Sequence, residues 1–130
     1  MTASPARTRR LAGIDIGTLT CRLLIAEFSP QTSLKALRSE RRILRLGEGV
    51  DQTKQLSSAA MDRVIACLRE WRGLIDSHQV DAVTVVATSA VRDAVNRDEF
   101  LHRVKREAGF DVEVITGDEE ARRTLKKKKK

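Results

Sequence analysis

Three short polar segments, each directly after an apolar run, contain the residues that could do chemistry. The last of them holds two adjacent carboxylates, Glu119 and Glu120, where a helix should begin after the turn at Gly117 and Asp118. A carboxylate held above a bound phosphate can orient or deprotonate an attacking water. Acidic side chains are also common at helix starts, because they favour the exposed N–H groups there. The pair therefore has two interpretations, a general base or helix-start electrostatics.

The first polar segment follows an apolar run that ends near Asp15. Gly17 lets the backbone turn closely, and Thr18 and Thr20 add hydroxyl groups. Successive N–H groups in such a turn form a nest that binds anions. The segment could therefore hold a phosphate, with Asp15 facing a metal ion or a water. The alternative is a plain β-hairpin turn in which glycine and threonine serve only the conformation.

The middle segment contains Thr88, Ser89 and Arg92, after the run 80–87. In open α/β sheets, ligands bind beyond the carboxyl ends of the strands. The hydroxyls can donate hydrogen bonds, and an arginine can bind a phosphate with two of them. The alternative is a short capped helix with a surface arginine. If the three preceding strands are parallel, the segments meet at one edge and form a phosphoryl-transfer site.

Five apolar or alternating runs must supply the strands that position these segments. They predict strands at 11–16, 21–28, 34–46, 80–87 and 112–115. The tight connection 17–20 predicts a hairpin, and the first three strands together predict an antiparallel meander. The β-branched run 80–87 is typical of a central strand buried on both faces.

Two helices are predicted between these strands. Ser57 should cap the first, whose apolar residues fall at helical spacing, and the residues 47–53 before it are expected to be loop. Asn96 and Glu99 resemble a capping box for the second, which should end at Gly109. The order β-β-β-α-β-α-β predicts an α/β fold, a mixed sheet with helices packed on it. The ribonuclease-H-like half-domain of the actin-like ATPase superfamily has this order.

The charge of the chain is concentrated at its ends. The formal net charge is +7, but three arginines within 1–10 and five lysines at 126–130 account for more than all of it, which leaves −1 for 11–125. The near-neutral core and only four aromatic residues argue against specific nucleic-acid binding. We expect a disordered Arg-rich N-terminus over 1–10, one domain over 11–125 and an engineered lysine tail over 126–130.

The apolar runs, the N-terminus and the cysteines together favour a cytoplasmic protein. No apolar run approaches the length of about 20 residues that a membrane span needs, and 1–10 has no apolar stretch of the kind found in secretory signals. Cys21 and Cys67 match no metal-binding spacing and are too few for a disulfide framework. We expect both to be reduced, buried thiols.

Four collinear segments resemble the exopolyphosphatase/guanosine pentaphosphate phosphohydrolase (Ppx/GppA) family. They are AGIDIGT at 12–18, RLGEGVD at 45–51, ATSAVRDAVN at 87–96 and VITGDEEAR at 114–122. The first is shared across actin-like ATPases and sugar kinases, whereas the last two are far more specific. The resemblance covers 11–125.

The resemblance implies one ribonuclease-H-like half of an acetate-kinase/heat-shock-ATPase/actin-like fold, with polyphosphate bound between two halves. It assigns Glu120 as the base that activates water and Arg92 as a phosphate ligand. Asp15, Gly17 and Thr18 match the first phosphate loop of the family. The expected cofactor is Mg²⁺, with Asp15, through a water, and Glu119 as candidate contacts. The substrate would be polyphosphate or guanosine pentaphosphate, which the sequence does not separate.

Two departures from the family bear on activity. Leu19 stands where the family usually has an asparagine, and the second phosphate loop, Asp-x-Gly-Gly-Gly-Ser, is absent together with the C-terminal lobe. We therefore expect this chain alone to be inactive and able to self-associate through the surface that the other lobe would cover. The alternative is a non-catalytic actin-like binding or assembly module.

Overall fold

A computed structural model describes residues 8–31 and 34–116 as one five-stranded sheet with helices. The strands are β1 Arg9–Ile16, β2 Thr20–Phe28, β3 Lys35–Ile43, β4 Ala82–Ala87 and β5 Val112–Val114. The helices are α1 Val50–Thr53, α2 Ser58–Ser77, α3 Ser89–Arg92 and α4 Arg97–Ala108. The predictions for Glu119, Glu120 and the lysine tail lie outside the described residues.

The sheet is mixed and has the strand order β3-β2-β1-β4-β5. β1, β2 and β3 pair antiparallel, which confirms the predicted meander. β4 pairs parallel with β1 on one side and with β5 on the other. The carboxyl ends of β1, β4 and β5 therefore lie at the same edge, as the site hypothesis requires.

The core lies between one face of the sheet and the helices α2 and α4. Side chains alternate along β1, so that Ala12, Ile14 and Ile16 are buried while Gly13 and Asp15 are exposed. The helices contribute apolar residues at the spacing of one helical face. The buried side chains of the two helices include those of Met61, Val64, Leu68, Trp71, Phe100 and Val104.

The prediction that the run 80–87 is buried on both faces is wrong. Val85 and Ala87 are buried, but Ala82 and Thr84 are exposed and Val86 is half-buried. The reason is that α2 and α4 both pack against the same face of the sheet. The opposite face is open in the part of the chain that the structure describes.

The helix ends confirm two of the three predicted caps. The Ser57 hydroxyl accepts a hydrogen bond from the Ala60 N–H at 3.1 Å, and Gly109 ends α4 with φ 78°. The capping box at Asn96 is wrong, because its side chain makes no bond to the helix that follows. Its amide instead pairs with the backbone N–H and C=O of Leu56, each at 2.9 Å.

Several boundaries differ from the predicted ones. β1 begins at Arg9, so the prediction of disorder over the whole of 1–10 is wrong for Arg9 and Arg10. The Arg10 guanidinium is fixed by the His78 carbonyl at 2.8 Å and by Glu27. β3 ends three residues early, and the short helix α1 lies within the predicted loop 47–53.

Both cysteines are free and buried, as predicted. Burial raises the pKa of the Cys21 thiol to about 12 and that of Cys67 to about 11. None of the helices that the structure describes has the length and apolar character of a membrane span.

Candidate functional site

The three polar segments begin side by side at the edge where β1, β4 and β5 end. The last residues of the three strands lie in one row across the sheet, where Ile16 pairs with Ala87 and Ala87 pairs with Val114. Backbone hydrogen bonds continue past the strands, from the Thr88 N–H to the Ile16 carbonyl at 3.2 Å and from the Ile115 N–H to the Ala87 carbonyl at 3.0 Å. The parallel pairing thus brings together segments that are far apart in sequence.

The β1–β2 loop is closed by a backbone hydrogen bond from the Gly17 N–H to the Thr20 carbonyl, at 3.1 Å. A Cβ atom at position 17 would lie 2.6 Å from that oxygen, so only glycine permits this approach. The predicted anion-binding nest has fewer free N–H groups than the sequence indicates, because the Gly17 N–H already donates to the Thr20 carbonyl. The N–H groups of Thr18 and Leu19 donate to no acceptor among the described residues, so they remain for an anion.

The first and middle segments are joined directly by their hydroxyl groups. The Thr18 Oγ1 and Ser89 Oγ atoms lie 2.9 Å apart at the exposed edge. Ser89 is the first residue of α3, and Thr88 precedes it with only 6% of its surface exposed. Two of the predicted hydroxyl ligands therefore already share a hydrogen bond.

Arg92 connects the middle segment to the end of β5. Its Nη1 donates to the Ile115 carbonyl at 3.2 Å, and the side chain is half-buried. A guanidinium has five N–H donors, so this bond leaves donors for a phosphate. The third segment is described as far as Thr116, and the predicted base Glu120 follows beyond it.

Asp15 lies on the open face of the sheet, in a groove of about 530 Å³. Thr88 and Ile115 line the same groove, whereas Gly17, Thr20, Ser89 and Arg92 are not among its lining residues. Asp15 is opposite Arg22 on β2, and Arg22 is opposite Arg41 on β3. Arg22, Arg41 and a second carboxylate, Glu40, also line the groove, so it carries two carboxylates and two cations beside the hydroxyl edge.

Among the residues that the structure describes, Asp15 could contact a metal ion together with a bound ligand. The described residues contain no group of three or more His, Cys, Asp or Glu that could hold a metal ion. Magnesium is often bound by one or two carboxylates together with substrate phosphates and waters. Asp15 fits that mode of binding, and Glu119 lies outside the described residues.

The sequence analysis missed the structural roles of two residues near this edge. Gly47 donates its N–H to the Thr18 carbonyl at 2.9 Å, and Asn96 bridges to Leu56 behind α3. The glycine pair at Gly47 and Gly49 was a signal that the backbone makes a close approach. Asn96 gave no separate signal, because its spacing from Glu99 matched a capping pattern.

Comparisons with known proteins identify the family of this chain. A family model described as the Ppx/GppA phosphatase family matches residues 24–126. The chain is 41% identical to exopolyphosphatase 2 of Mycobacterium tuberculosis over 120 residues, 86% of this chain and 38% of that protein. It is 39% identical to a bifunctional 3-dehydroquinate synthase/phosphatase of Fusobacterium nucleatum over 116 residues, 85% of this chain and 18% of that protein.

The fold is also found among solved structures. The crystal structure of the Aquifex aeolicus member of the Ppx/GppA protein family superposes with a TM-score of 0.84 and 42% identity, covering 88% of this chain and 37% of that chain. The predicted α/β, ribonuclease-H-like fold class is thereby confirmed. The chain spans well under half the length of each of these three proteins.

Proposed function

We propose, because the chain belongs to the Ppx/GppA phosphatase family, that it forms the N-terminal half of a phosphoanhydride hydrolase. The complete enzyme would release terminal phosphate from inorganic polyphosphate or the 5′-γ-phosphate from guanosine pentaphosphate. The mycobacterial relative is named as an exopolyphosphatase, which supports polyphosphate as the substrate.

The observation that carries this proposal is the meeting of the first two segments and the end of β5 at one edge. The Thr18–Ser89 hydroxyl pair links the first to the second, and Arg92 links the second to Ile115. Phosphoryl transfer depends mainly on positioning and on electrostatic stabilisation of phosphate oxygens. Backbone N–H groups, hydroxyls and a guanidinium at one edge are suitable donors for that purpose.

Each residue has a proposed role in the complete enzyme. The loop from Gly17 to Thr20 and the hydroxyls of Thr88 and Ser89 would donate to phosphate oxygens, while Arg92 neutralises their charge. Asp15, through a water, and less directly Glu119 would contact Mg²⁺, which neutralises phosphate charge when bound. Glu120 would accept the proton of the attacking water.

This chain alone would supply half of the phosphate clamp and no opposing wall. We expect no turnover from it, because positioning by both lobes is needed. The test is phosphate release from long-chain polyphosphate with Mg²⁺, comparing the 130-residue chain with a full-length parent. An active parent and a silent short chain are the expected result. Turnover by the short chain at the rate of the parent would contradict the half-site interpretation.

The role of Glu120 is tested in the parent by Glu120→Gln, which should abolish phosphate release. The matched control is Glu99→Gln, an exposed carboxylate in the first turn of α4. The control should keep the parent's rate. Undiminished turnover in the Glu120 variant would refute its role as the base, and guanosine pentaphosphate assayed in parallel would identify the preferred substrate.

Leu19 favours a second candidate, a binding or assembly module without hydrolysis. Its side chain is 55% exposed at the tip of the β1–β2 loop, where an apolar group offers no hydrogen bond to a phosphate. A silent parent that still binds tripolyphosphate would support this candidate. Leu19→Asn would then be the variant to assay for a gain of turnover.

A further inference from the structure

The β1–β2 loop rests on a turn formed by residues 44–48, which follows β3. Three N–H groups of this turn donate to two carbonyl groups of the loop. The Leu44 and Arg45 N–H groups both reach the Leu19 carbonyl at 3.0 Å, and the Gly47 N–H reaches the Thr18 carbonyl at 2.9 Å. We call residues 44–48 the support turn.

The support turn fixes the direction in which the loop presents its N–H groups. A trans peptide points its C=O and the following N–H in opposite directions, and the described backbone contains no cis peptide bond. Holding the Thr18 carbonyl on the support turn therefore directs the Leu19 N–H away from it. The Leu19 N–H, like that of Thr18, has no acceptor among the described residues.

Gly47 is the point of closest packing between the support turn and the loop. A Cβ atom at position 47 would overlap the Thr18 Cγ2 methyl and lie 3.3 Å from the Ala90 Cβ. Gly47 is not among the glycines with positive φ, so the demand for glycine is steric. Rotation of the Thr18 side chain to relieve the overlap would also move its hydroxyl away from Ser89.

Arg63 on α2 holds the support turn from the other side. Its Nε donates to the Leu44 carbonyl at 2.9 Å and its Nη2 donates to the Arg45 carbonyl at 3.3 Å. The same guanidinium forms an ion pair with Glu48 at 3.5 Å. Arg45 has φ 55°, which costs free energy for a residue with a side chain, so this conformation needs such support.

We propose that Gly47 and Arg63 are positioning residues for anion binding at the β1–β2 loop. Helix α2 fixes the support turn through Arg63, and the support turn fixes the Thr18 and Leu19 peptides. The identity of the anion, a phosphate, rests on the proposed function. The positioning itself does not, so it can be measured without any ligand.

The first experiment is an amide NMR comparison on the 130-residue chain without ligand. Gly47→Ala and Arg63→Gln should shift the Thr18, Leu19 and Ser89 amide resonances. The controls are Gly73→Ala, where a Cβ meets open space, and Arg69→Gln, an exposed arginine on the same helix. These should leave the three resonances in place. Unmoved loop resonances in both test variants would overturn the proposal, whatever the protein binds.

The second experiment measures the consequence in the full-length parent, with long-chain polyphosphate as substrate. Loss of one well-aimed donor to a charged group corresponds to about a tenfold weaker interaction. Gly47→Ala and Arg63→Gln should therefore raise KM by about tenfold or more. Arg63→Lys should recover only part of this, because its single nitrogen lacks the planar fork with which Nε and Nη2 reach the two carbonyls. Unchanged KM with shifted amides would overturn the link to anion binding. A parent that hydrolyses nothing would refute the proposed function, while the NMR result would still decide the positioning.

Discussion

The clearest stability test concerns Asn96, whose side chain ties the segment after α3 to the segment before α2. Its amide donates to the Leu56 carbonyl and accepts from the Leu56 N–H, each at 2.9 Å. The Val95 N–H adds a bond to the Lys54 carbonyl at 2.8 Å. The two segments therefore run side by side, and Asn96 provides two of their three hydrogen bonds.

Asn96→Ala removes both side-chain bonds. At about 1 kcal/mol for each net hydrogen bond, the free energy of unfolding should fall by about 2 kcal/mol. The loss is larger if the polar groups of Leu56, which is 2% exposed, stay unpaired. For a domain of this size the melting temperature should fall by roughly 6–10 °C. Urea unfolding should show a lower midpoint with an unchanged slope.

Asn96→Asp distinguishes two roles for this side chain, the pair of hydrogen bonds to Leu56, called the bridge, and capping of α4. Aspartate caps helices as well as asparagine does and also favours the helix dipole, so a capping role predicts equal or higher stability. The bridge predicts a loss at least as large as for alanine, because a carboxylate oxygen would face the Leu56 carbonyl. An Asn96→Asp variant that melts at or above the unsubstituted protein would refute the bridge.

Three other changes have definite expected outcomes. Thr18→Val keeps the shape but removes the hydroxyl that pairs with α3, so tripolyphosphate binding by the parent, measured by calorimetry, should weaken. Ser57→Ala should lower the free energy of unfolding by about 1 kcal/mol in urea, because one N–H at the start of α2 loses its acceptor. Because burial raises the pKa of Cys21 to about 12 and that of Cys67 to about 11, the unfolded thiols ionise first, and stability measured by urea titration should fall as pH rises from about 9. An unchanged midpoint between pH 8 and pH 10.5 would contradict this linkage.

The element order was predictable because it depends on patterns within each segment. Alternation along β1 and helical spacing along α2 are local, and so is the glycine that ends α4. The meeting of Thr18 with Ser89 was predictable as well, once β1 and β4 were assumed to be parallel, since parallel strands deliver their carboxyl ends to one edge. Neither inference needed knowledge of a particular side-chain contact.

The wrong predictions concern local patterns that are compatible with more than one tertiary contact. Asn96 three residues before Glu99 fits a capping box, but Leu56 comes from 40 residues away and takes both polar ends of the amide. The run 80–87 has the composition of a doubly buried strand, but which faces are covered depends on where α2 and α4 pack. The role of Gly47 depends on the Thr18 methyl, which no spacing along the chain reveals.

Arg92 combines a structural role with a proposed phosphate-binding role in one side chain. Its Nη1 bond to the Ile115 carbonyl fixes the point at which the chain leaves β5, two residues before Gly117. The same guanidinium is the proposed phosphate ligand. A planar fork of five donors can serve a carbonyl and a phosphate together, whereas a lysine offers one point charge. Substitution of Arg92 is therefore expected to affect both the proposed phosphate contact and the position of Ile115 at the end of β5, so its kinetic effect would measure both.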